Sequence, residues 1–261
     1  MTAEQTAFLP PLLFFLLVSI RFIGMMFAAP VFNASSIPLP LRFWCAILLA
    51  AAAAGTLQTE IPVILFENWI SIILLGVREF LIGTLLGLLA ALPLYALQVS
   101  GELVGRSMGL AMLSTMDPMS QAQVSIISQF QFLVGMWFYF RWNGHLLMTQ
   151  AVVESLKLVP PGKLALSITW DLGLGNWLQQ MFVLSLRFVL PFYGAILLAD
   201  VGLGFLARTV PQMNIFVLGL PLKVALGFFV LMLVLPVMVE LMAAHMEKFV
   251  EFALMGATAW R

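Results

Sequence analysis

The chain has 261 residues, of which 62% are hydrophobic and 9% are charged, and its mean hydropathy is +1.07. This composition lies far outside the range of soluble globular domains and predicts an all-α membrane protein. The 12 basic and 12 acidic residues balance without a basic block, which argues against nucleic-acid binding. Cys45 is the only cysteine, which excludes an internal disulfide and a cysteine-based metal cage.

Six apolar segments are predicted as membrane helices, since a helix needs roughly 20 apolar residues to cross the hydrocarbon. The third is too long for one ordinary span, so we expect it to tilt, to project beyond the bilayer or to break near Arg78 or Pro93. The fifth and sixth carry prolines within them, Pro191 and then Pro221 and Pro236. In chain order the segments are 8–32, 39–57, 61–99, 122–140, 177–207 and 215–239.

Three connections between these segments are informative. Residues 100–121 are rich in glycine and methionine. Residues 141–176 contain an amphipathic helix that is expected to end at Pro160 and Pro161, because proline cannot continue a helix. Residues 240–261 are expected to form a final amphipathic helix, since charged and apolar residues are interleaved there at helical spacing.

Charged residues recur inside the apolar segments, although an ion at the bilayer centre costs roughly 2.5–3.5 kcal/mol. Neighbouring side chains on a helix point about 100° apart, so adjacent Arg and Glu residues are not expected to pair with each other. We expect static pairs, formed within the chain or across subunits, and the alternative is an ion-conducting or proton-relay path. The candidate structural or inter-subunit charges are Arg21, Arg78, Glu79, Arg187, Asp200 and Lys223.

The glycine- and methionine-rich connection is a candidate pore plug or gate. Glycines spaced four residues apart let a neighbouring helix approach closely, and methionine side chains are soft enough to close a gap and repack. Ordinary helix packing and a core stripe of methionines are the simpler interpretations. The candidate residues are Gly101, Gly105, Arg106, Met108, Gly109, Met112, Met116, Asp117 and Pro118.

A turn is predicted between the fifth and sixth segments. Arg208 is expected close to the end of one helix, Pro211 prevents its continuation, and Asn214 suits a turn or cap before the next helix. Together with Gln212, these residues are interpreted as a structural hairpin connection.

Catalytic and cofactor motifs do not stand out in the sequence. His145 and His245 are far apart along the chain, and neither belongs to a metal-ligand pattern. No nucleophile elbow, P-loop or dinucleotide fingerprint is present. We therefore predict no catalytic residue, no metal and no cofactor.

Residues 200–223, which read DVGLGFLARTVPQMNIFVLGLPLK, resemble the FliR/SctT family of type III export-gate proteins. The most specific part is the set Pro211, Gln212, Asn214 and Phe216, followed by Gly219, Pro221, Leu222 and Lys223. Further landmarks agree in order along most of the chain: Arg21, Ala29 to Phe32, Ile37, Pro38, Arg42, Glu102, Asp117, Pro118, Asn143 to His145, Arg187 and Pro191.

This resemblance implies a noncatalytic subunit of the export gate at the base of the bacterial flagellum, in the inner membrane. It implies a FliP-like portion over residues 1–207 and a FliQ-like hairpin with a C-terminal amphipathic helix over 208–261. The implied partners are FliP-like and FliQ-like subunits, which form a right-handed helical pore assembly with it, and an FlhB-like export switch protein. Unfolded export substrates would pass the pore, and the family's plug loop corresponds to residues 101–119.

Two other interpretations of the function remain open. One is a self-contained, ion-coupled secondary transporter with Arg187, Asp200 and helices broken at Pro191 and Pro221. The other is the homologous subunit of an injectisome export gate. We expect the chain to be unstable as a monomer, because partner helices would supply counter-ions for its buried charges.

Overall fold

The computed structural model describes residues 3–33, 37–55, 69–110, 125–162, 174–210 and 215–258. Within these ranges the chain folds into seven helices and no strand, which confirms the all-α prediction. The helices are α1 (Ala3–Ala28), α2 (Leu39–Ala54), α3 (Trp69–Ser107), α4 (Ile126–Arg141), α5 (Gly144–Leu158), α6 (Leu174–Thr209) and α7 (Ile215–Thr258).

Four stretches of these helices are long and apolar enough to cross a membrane: Pro11–Ala28, Trp69–Ser107, Gly175–Thr209 and Val217–Met246. The other two segments predicted to span appear as the 16-residue helices α2 and α4. At 1.5 Å per residue each is about 24 Å long, which is shorter than the hydrocarbon core.

The internal prolines do not interrupt the helices. Of the three alternatives for the third segment, a break near Arg78 or Pro93 does not occur, since α3 runs continuously through both residues to Ser107. Helix α6 likewise passes Pro191, and α7 passes Pro221 and Pro236. Proline removes one backbone hydrogen bond, a loss that long apolar helices tolerate where local adjustments satisfy the freed carbonyl.

Several helix ends agree with the sequence. Helix α5 ends at Leu158, just before the proline pair, and α6 ends at Thr209, one residue after Arg208. The final amphipathic stretch is helical as expected, but it continues α7 to Thr258 and does not form a separate helix.

Gly109 ends α3 in a left-handed conformation, with φ of 81°. The Leu110 N–H donates to the Gly105 carbonyl at 3.1 Å, and the Gly109 N–H donates to the Arg106 carbonyl at 3.0 Å. These two bonds form a Schellman motif, in which glycine is favoured because it has no Cβ.

The chain divides into two compact units. The first contains residues 1–91, 143–174 and 246–261, and its core is built on α1, where Leu17, Val18 and Met25 are fully buried. The second contains residues 92–142 and 175–245. The boundary expected at residue 207 separates a FliP-like portion from a FliQ-like hairpin. The two compact units divide the chain at other residues, and the expected boundary stays a prediction.

Glycines bring α1 and α3 into backbone contact within the first unit. A Cβ at Gly83 would overlap the Arg21 carbonyl, and one at Gly87 would lie 2.7 Å from the Met25 carbonyl oxygen. In the other direction, a Cβ at Gly24 would overlap the Phe80 carbonyl. A larger side chain at any of these glycines would push the two helices apart, so close packing explains why glycine stands there.

We expect Gly83→Ala to destabilise the protein by about 1–3 kcal/mol, because the added methyl forces α1 and α3 apart. Gly194→Ala is the matched control, since a Cβ at this position of α6 meets nothing within 4 Å. The control should be neutral or stabilising by up to about 1 kcal/mol, because alanine favours the helix. The measurement is thermal unfolding of the detergent-solubilised protein, and equal midpoints for the two variants would contradict the close contact.

Candidate functional site

Arg21 is the centre of a buried polar network in the first unit. Its guanidinium is fully buried, and it lies against the equally buried carboxylate of Glu79 on α3. Nε donates to Glu79 Oε2 at 2.6 Å, and Nη2 lies 2.5 Å from the same oxygen. Nη1 donates to the Ser155 hydroxyl and Nη2 to the Val159 carbonyl, each at 3.0 Å.

The network joins three helices through one side chain. Arg21 belongs to α1, Glu79 to α3, and Ser155 and Val159 to the end of α5. From α1, the fork of the guanidinium donates to groups of both α3 and α5, which a lysine ammonium could not match in geometry. The expectation that Glu79 pairs away from its neighbour Arg78 is confirmed, and Arg78 is itself buried.

A second ion pair joins α6 to α7 within the second unit. Lys223 Nζ lies 2.5 Å from Asp200 Oδ1, and the two side chains are 24% and 51% exposed. Asp200 therefore has its partner on the next helix of the same chain, one of the two kinds of pair expected from the sequence. Four of the six candidate charges are therefore paired inside the chain, so that neutralising them needs no partner subunit.

Arg187 differs from those four charges. It is exposed on α6, between the exposed apolar residues Leu186 and Leu190. Among the described residues, no carboxylate lies within the 4.0 Å that defines an ion pair with its guanidinium. A cation on an apolar face of a membrane-length helix indicates a partner outside the described part of the chain.

The glycines of the candidate gate hold α3 against the start of α4. A Cβ at Gly101 would overlap the Ser128 Cα, and one at Gly105 would overlap the Ser125 hydroxyl. Glu102 accepts a hydrogen bond from the Ser125 N–H at 2.8 Å, which satisfies a backbone donor at the N-terminus of α4. Arg106 is largely exposed and lies 3.9 Å from Glu102.

Met108 belongs to the fixed core of the second unit. It is 1% exposed, and its Sδ lies 2.6 Å from the position that a Cβ on Gly227 of α7 would take. Gly109 packs against Leu220 in the same region. The other gate candidates, Met112, Met116, Asp117 and Pro118, lie outside the described residues, as do Pro211, Gln212 and Asn214 of the predicted turn.

Three contributors to these sites were not predicted from the sequence. Ser155 lies on the buried face of α5, where a single small hydroxyl carries no specific signal in the sequence. The Val159 carbonyl is a backbone group, which no pattern of side chains in the sequence could identify. Gly227 stands alone, without the four-residue spacing that identified the other packing glycines. Around them, no group of three or more His, Cys, Asp or Glu side chains in the described ranges could hold a metal ion.

Removing one member of the buried pair should be more damaging than removing both. We expect Arg21→Leu to lower the free energy of unfolding by about 3–5 kcal/mol, because it leaves the Glu79 carboxylate buried without a partner. The double variant Arg21→Leu, Glu79→Leu should recover part of that loss. Denaturant unfolding in detergent measures both, and a double variant less stable than Arg21→Leu would argue against a buried ionic pair.

Known proteins resemble the chain over most of its length. Flagellar biosynthetic protein FliR of Bacillus subtilis (strain 168) is 29% identical over 85% of this chain and 86% of its own length. FliR of Escherichia coli (strain K12) is 27% identical, over 83% and 82%. Yop proteins translocation protein T of Yersinia pestis is 27% identical over 66% of each chain.

The family model described as "Bacterial export proteins, family 1" matches residues 12–249. This range contains the buried Arg21–Glu79 pair, the candidate gate and the Asp200–Lys223 pair. Since the match covers nearly the whole chain, the protein belongs to family 1 of the bacterial export proteins.

Proposed function

We propose that this protein is a noncatalytic, pore-forming subunit of the type III protein export gate, in the bacterial inner membrane at the flagellar basal body. Its family membership carries the proposal, because the flagellar FliR proteins match over more than four fifths of the chain. The relative from the Yersinia translocation system covers less of the chain, which favours the flagellar assignment over an injectisome.

The surface of the α6–α7 pair supports a role as part of a larger assembly. In an apolar stretch of 18 residues within each helix, only 39% of the residues of α6 and 17% of those of α7 are buried within the chain. Lipid alone would suit the apolar side chains, but the same two helices also carry exposed Arg187 and the partly exposed Asp200–Lys223 pair. Protein partners tolerate such charges better than hydrocarbon does.

We assign this surface to FliP-like and FliQ-like subunits, with an FlhB-like switch protein as a further partner. In this assembly residues 1–207 take the place of a FliP-like portion and residues 208–261 that of a FliQ-like hairpin. Unfolded export substrates are the cargo, and the protein itself makes or breaks no bond in them.

The transporter alternative requires helices that are discontinuous at the binding site. Helix α6 is continuous through Pro191, and α7 is continuous through Pro221. The half-helix ends that would bind a substrate are therefore absent at both prolines. The export-gate proposal needs no such break.

Arg187→Leu should lower the yield of complex about tenfold when the chain is co-expressed with FliP-like and FliQ-like proteins, because it removes a desolvated inter-subunit charge pair. Arg187→Lys should retain part of the yield. Arg141→Leu is the control, since Arg141 is exposed in the last turn of α4. The measurement is complex recovered by affinity purification, and equal yields for the Arg187→Leu and Arg141→Leu variants would contradict the inter-subunit role.

The gate assignment concerns the residues between α3 and α4. A Schellman motif at Gly109 ends α3 where this connection begins, and the hydrogen bond from the Ser125 N–H to Glu102 holds the start of α4 against α3. The soft methionines Met112 and Met116 lie within it. We assign it the role of sealing the resting pore against small solutes.

Met112→Gly with Met116→Gly should make the resting gate leak small solutes while complex yield stays unchanged, because the seal loses side-chain volume and the core does not. Met108→Gly should instead lower the yield, since Met108 is buried against Gly227. Solute uptake by membrane vesicles and complex yield are the two measurements. Vesicles as tight as wild type with the double variant would refute the sealing role.

A further inference from the structure

The exposed side of α3 in the first unit is one apolar stripe. Its residues recur every three or four positions, which is the spacing of a single helical face. Beyond its last member no large hydrophobic residue of α3 is exposed, although the sequence stays apolar. The main members of this α3 stripe are Trp69, Ile70, Ile73, Val77, Leu81 and Leu88, each between 37% and 80% exposed.

The length of the α3 stripe matches the hydrocarbon core of a bilayer. At 1.5 Å per residue, the distance from Trp69 to Leu88 along the helix is about 28 Å. The hydrocarbon core is about 30 Å thick. A partner helix of any length could cover an apolar face, whereas a bilayer requires a face of this length.

Both ions in this part of α3 point away from the stripe. Arg78 is 7% exposed, and Glu79 is fully buried against Arg21. The exposed side of residues 69–88 therefore presents no charge, as contact with hydrocarbon requires. Helix α6 shows the contrast, since its exposed side carries Arg187 among apolar residues.

Helices α1 and α3 run parallel, so the ends of the stripe can be placed on α1. Gly83 contacts the α1 backbone at Arg21, and four residues later Gly87 contacts it at Met25. Gly87 also faces the side chain of Ala28, the last residue of α1. Helix α1 therefore ends at about the level where the exposed stripe ends.

An exposed tryptophan lies at each of these two levels. Trp69 begins the stripe and is 80% exposed. At the other level, the rings of Phe27 on α1 and Phe43 on α2 are 5.9 Å apart, and the next residue of α2 is the exposed Trp44. Tryptophan is enriched where the hydrocarbon meets the headgroups of a bilayer.

We propose that the α3 stripe is the lipid-facing surface of the first unit and crosses the hydrocarbon core, with Trp69 in one headgroup layer and Trp44 in the other. Glu79 lies ten residues after Trp69, about 15 Å along the helix, which places its pair with Arg21 near the bilayer midplane. An unpaired ion is most costly at that depth. The proposal is independent of the export-gate role, because it concerns α1 to α3 and not the surface of α6 and α7.

The test measures depth along the stripe in the full-length protein, purified with its accompanying subunits and reconstituted into phosphatidylcholine nanodiscs. Cys45→Ser removes the single cysteine, and the cysteines of the other subunits are replaced likewise. A nitroxide is then attached in the variants Ile70→Cys, Ile73→Cys, Val77→Cys, Leu81→Cys and Leu88→Cys, one at a time.

Electron paramagnetic resonance measures the collisions of each nitroxide with O₂ and with a nickel chelate. Because O₂ partitions into hydrocarbon and the nickel chelate stays in water, the ratio of O₂ to nickel collisions reports depth in the bilayer. This ratio should be severalfold higher for Val77→Cys, near the centre of the stripe, than for Ile70→Cys or Leu88→Cys near its ends.

Two lysine variants form a matched pair on the same face. Val77→Lys should lower the yield of folded protein in the membrane about tenfold, because it places an ion at the bilayer centre. Leu88→Lys should lower that yield by no more than about twofold, since a lysine near the end of the stripe can extend its ammonium to the headgroups.

Three results would overturn the proposal. A partner subunit over the stripe would leave all five nitroxides with few collisions with either reagent. Frequent nickel collisions in the Val77→Cys variant would place the stripe in water. Equal losses of yield for Val77→Lys and Leu88→Lys would show that depth in a bilayer has no effect at this face.

Discussion

The pairing of Arg21 with Glu79 is the constraint on which the first unit depends. Both side chains are fully buried, so each charge is tolerable only while the other is in place. The glycines at positions 24, 83 and 87 allow the α1 and α3 backbones to touch, and this contact sets Arg21 opposite Glu79. The same guanidinium then holds the end of α5 through Ser155 and Val159. One side chain thus organises three helices that are distant in sequence.

In the second unit, too, glycines allow helices to pack closely, but no buried ion pair is described there. Gly101 and Gly105 bring α3 against α4, and Gly227 receives the Met108 side chain on α7. Its ion pair, Lys223 with Asp200, is partly exposed. Exposed pairs contribute little to stability in water, so packing is the main source of order in this unit. The buried hydrogen bond between Ser100 and Gln131 adds a polar link between α3 and α4.

The buried ion pair of the first unit and the glycine packing of the second suit a protein that is part of a larger assembly. Arg21 pairs with Glu79 and Lys223 with Asp200 inside the chain, whereas the surfaces of α6 and α7 remain largely uncovered. Arg187 then stands out as a cation on an uncovered apolar face. We propose that the uncovered faces of α6 and α7 are the surface that partner subunits recognise.

The sequence by itself determined the class of the protein. Long apolar runs require helices in a membrane, because hydrocarbon leaves no other way to satisfy the backbone. The ends of α5 and α6 agreed with local signals, since Pro160 and Pro161 follow α5 and Pro211 follows α6 in the sequence. The ordered landmarks ending at Lys223 identified the family. Prolines in the interior of a segment were no guide to helix ends, since α3, α6 and α7 each run through theirs.

Only the tertiary structure decided which charges pair and which glycines and methionines pack. Glu79 and Arg78 are adjacent in sequence, and it is the approach of α1 that brings Arg21 to Glu79. Met108 is part of the core because Gly227 on a distant helix leaves room for its side chain. Local spacing specifies a helix and its faces, but partners between helices depend on contacts that only the folded chain brings together.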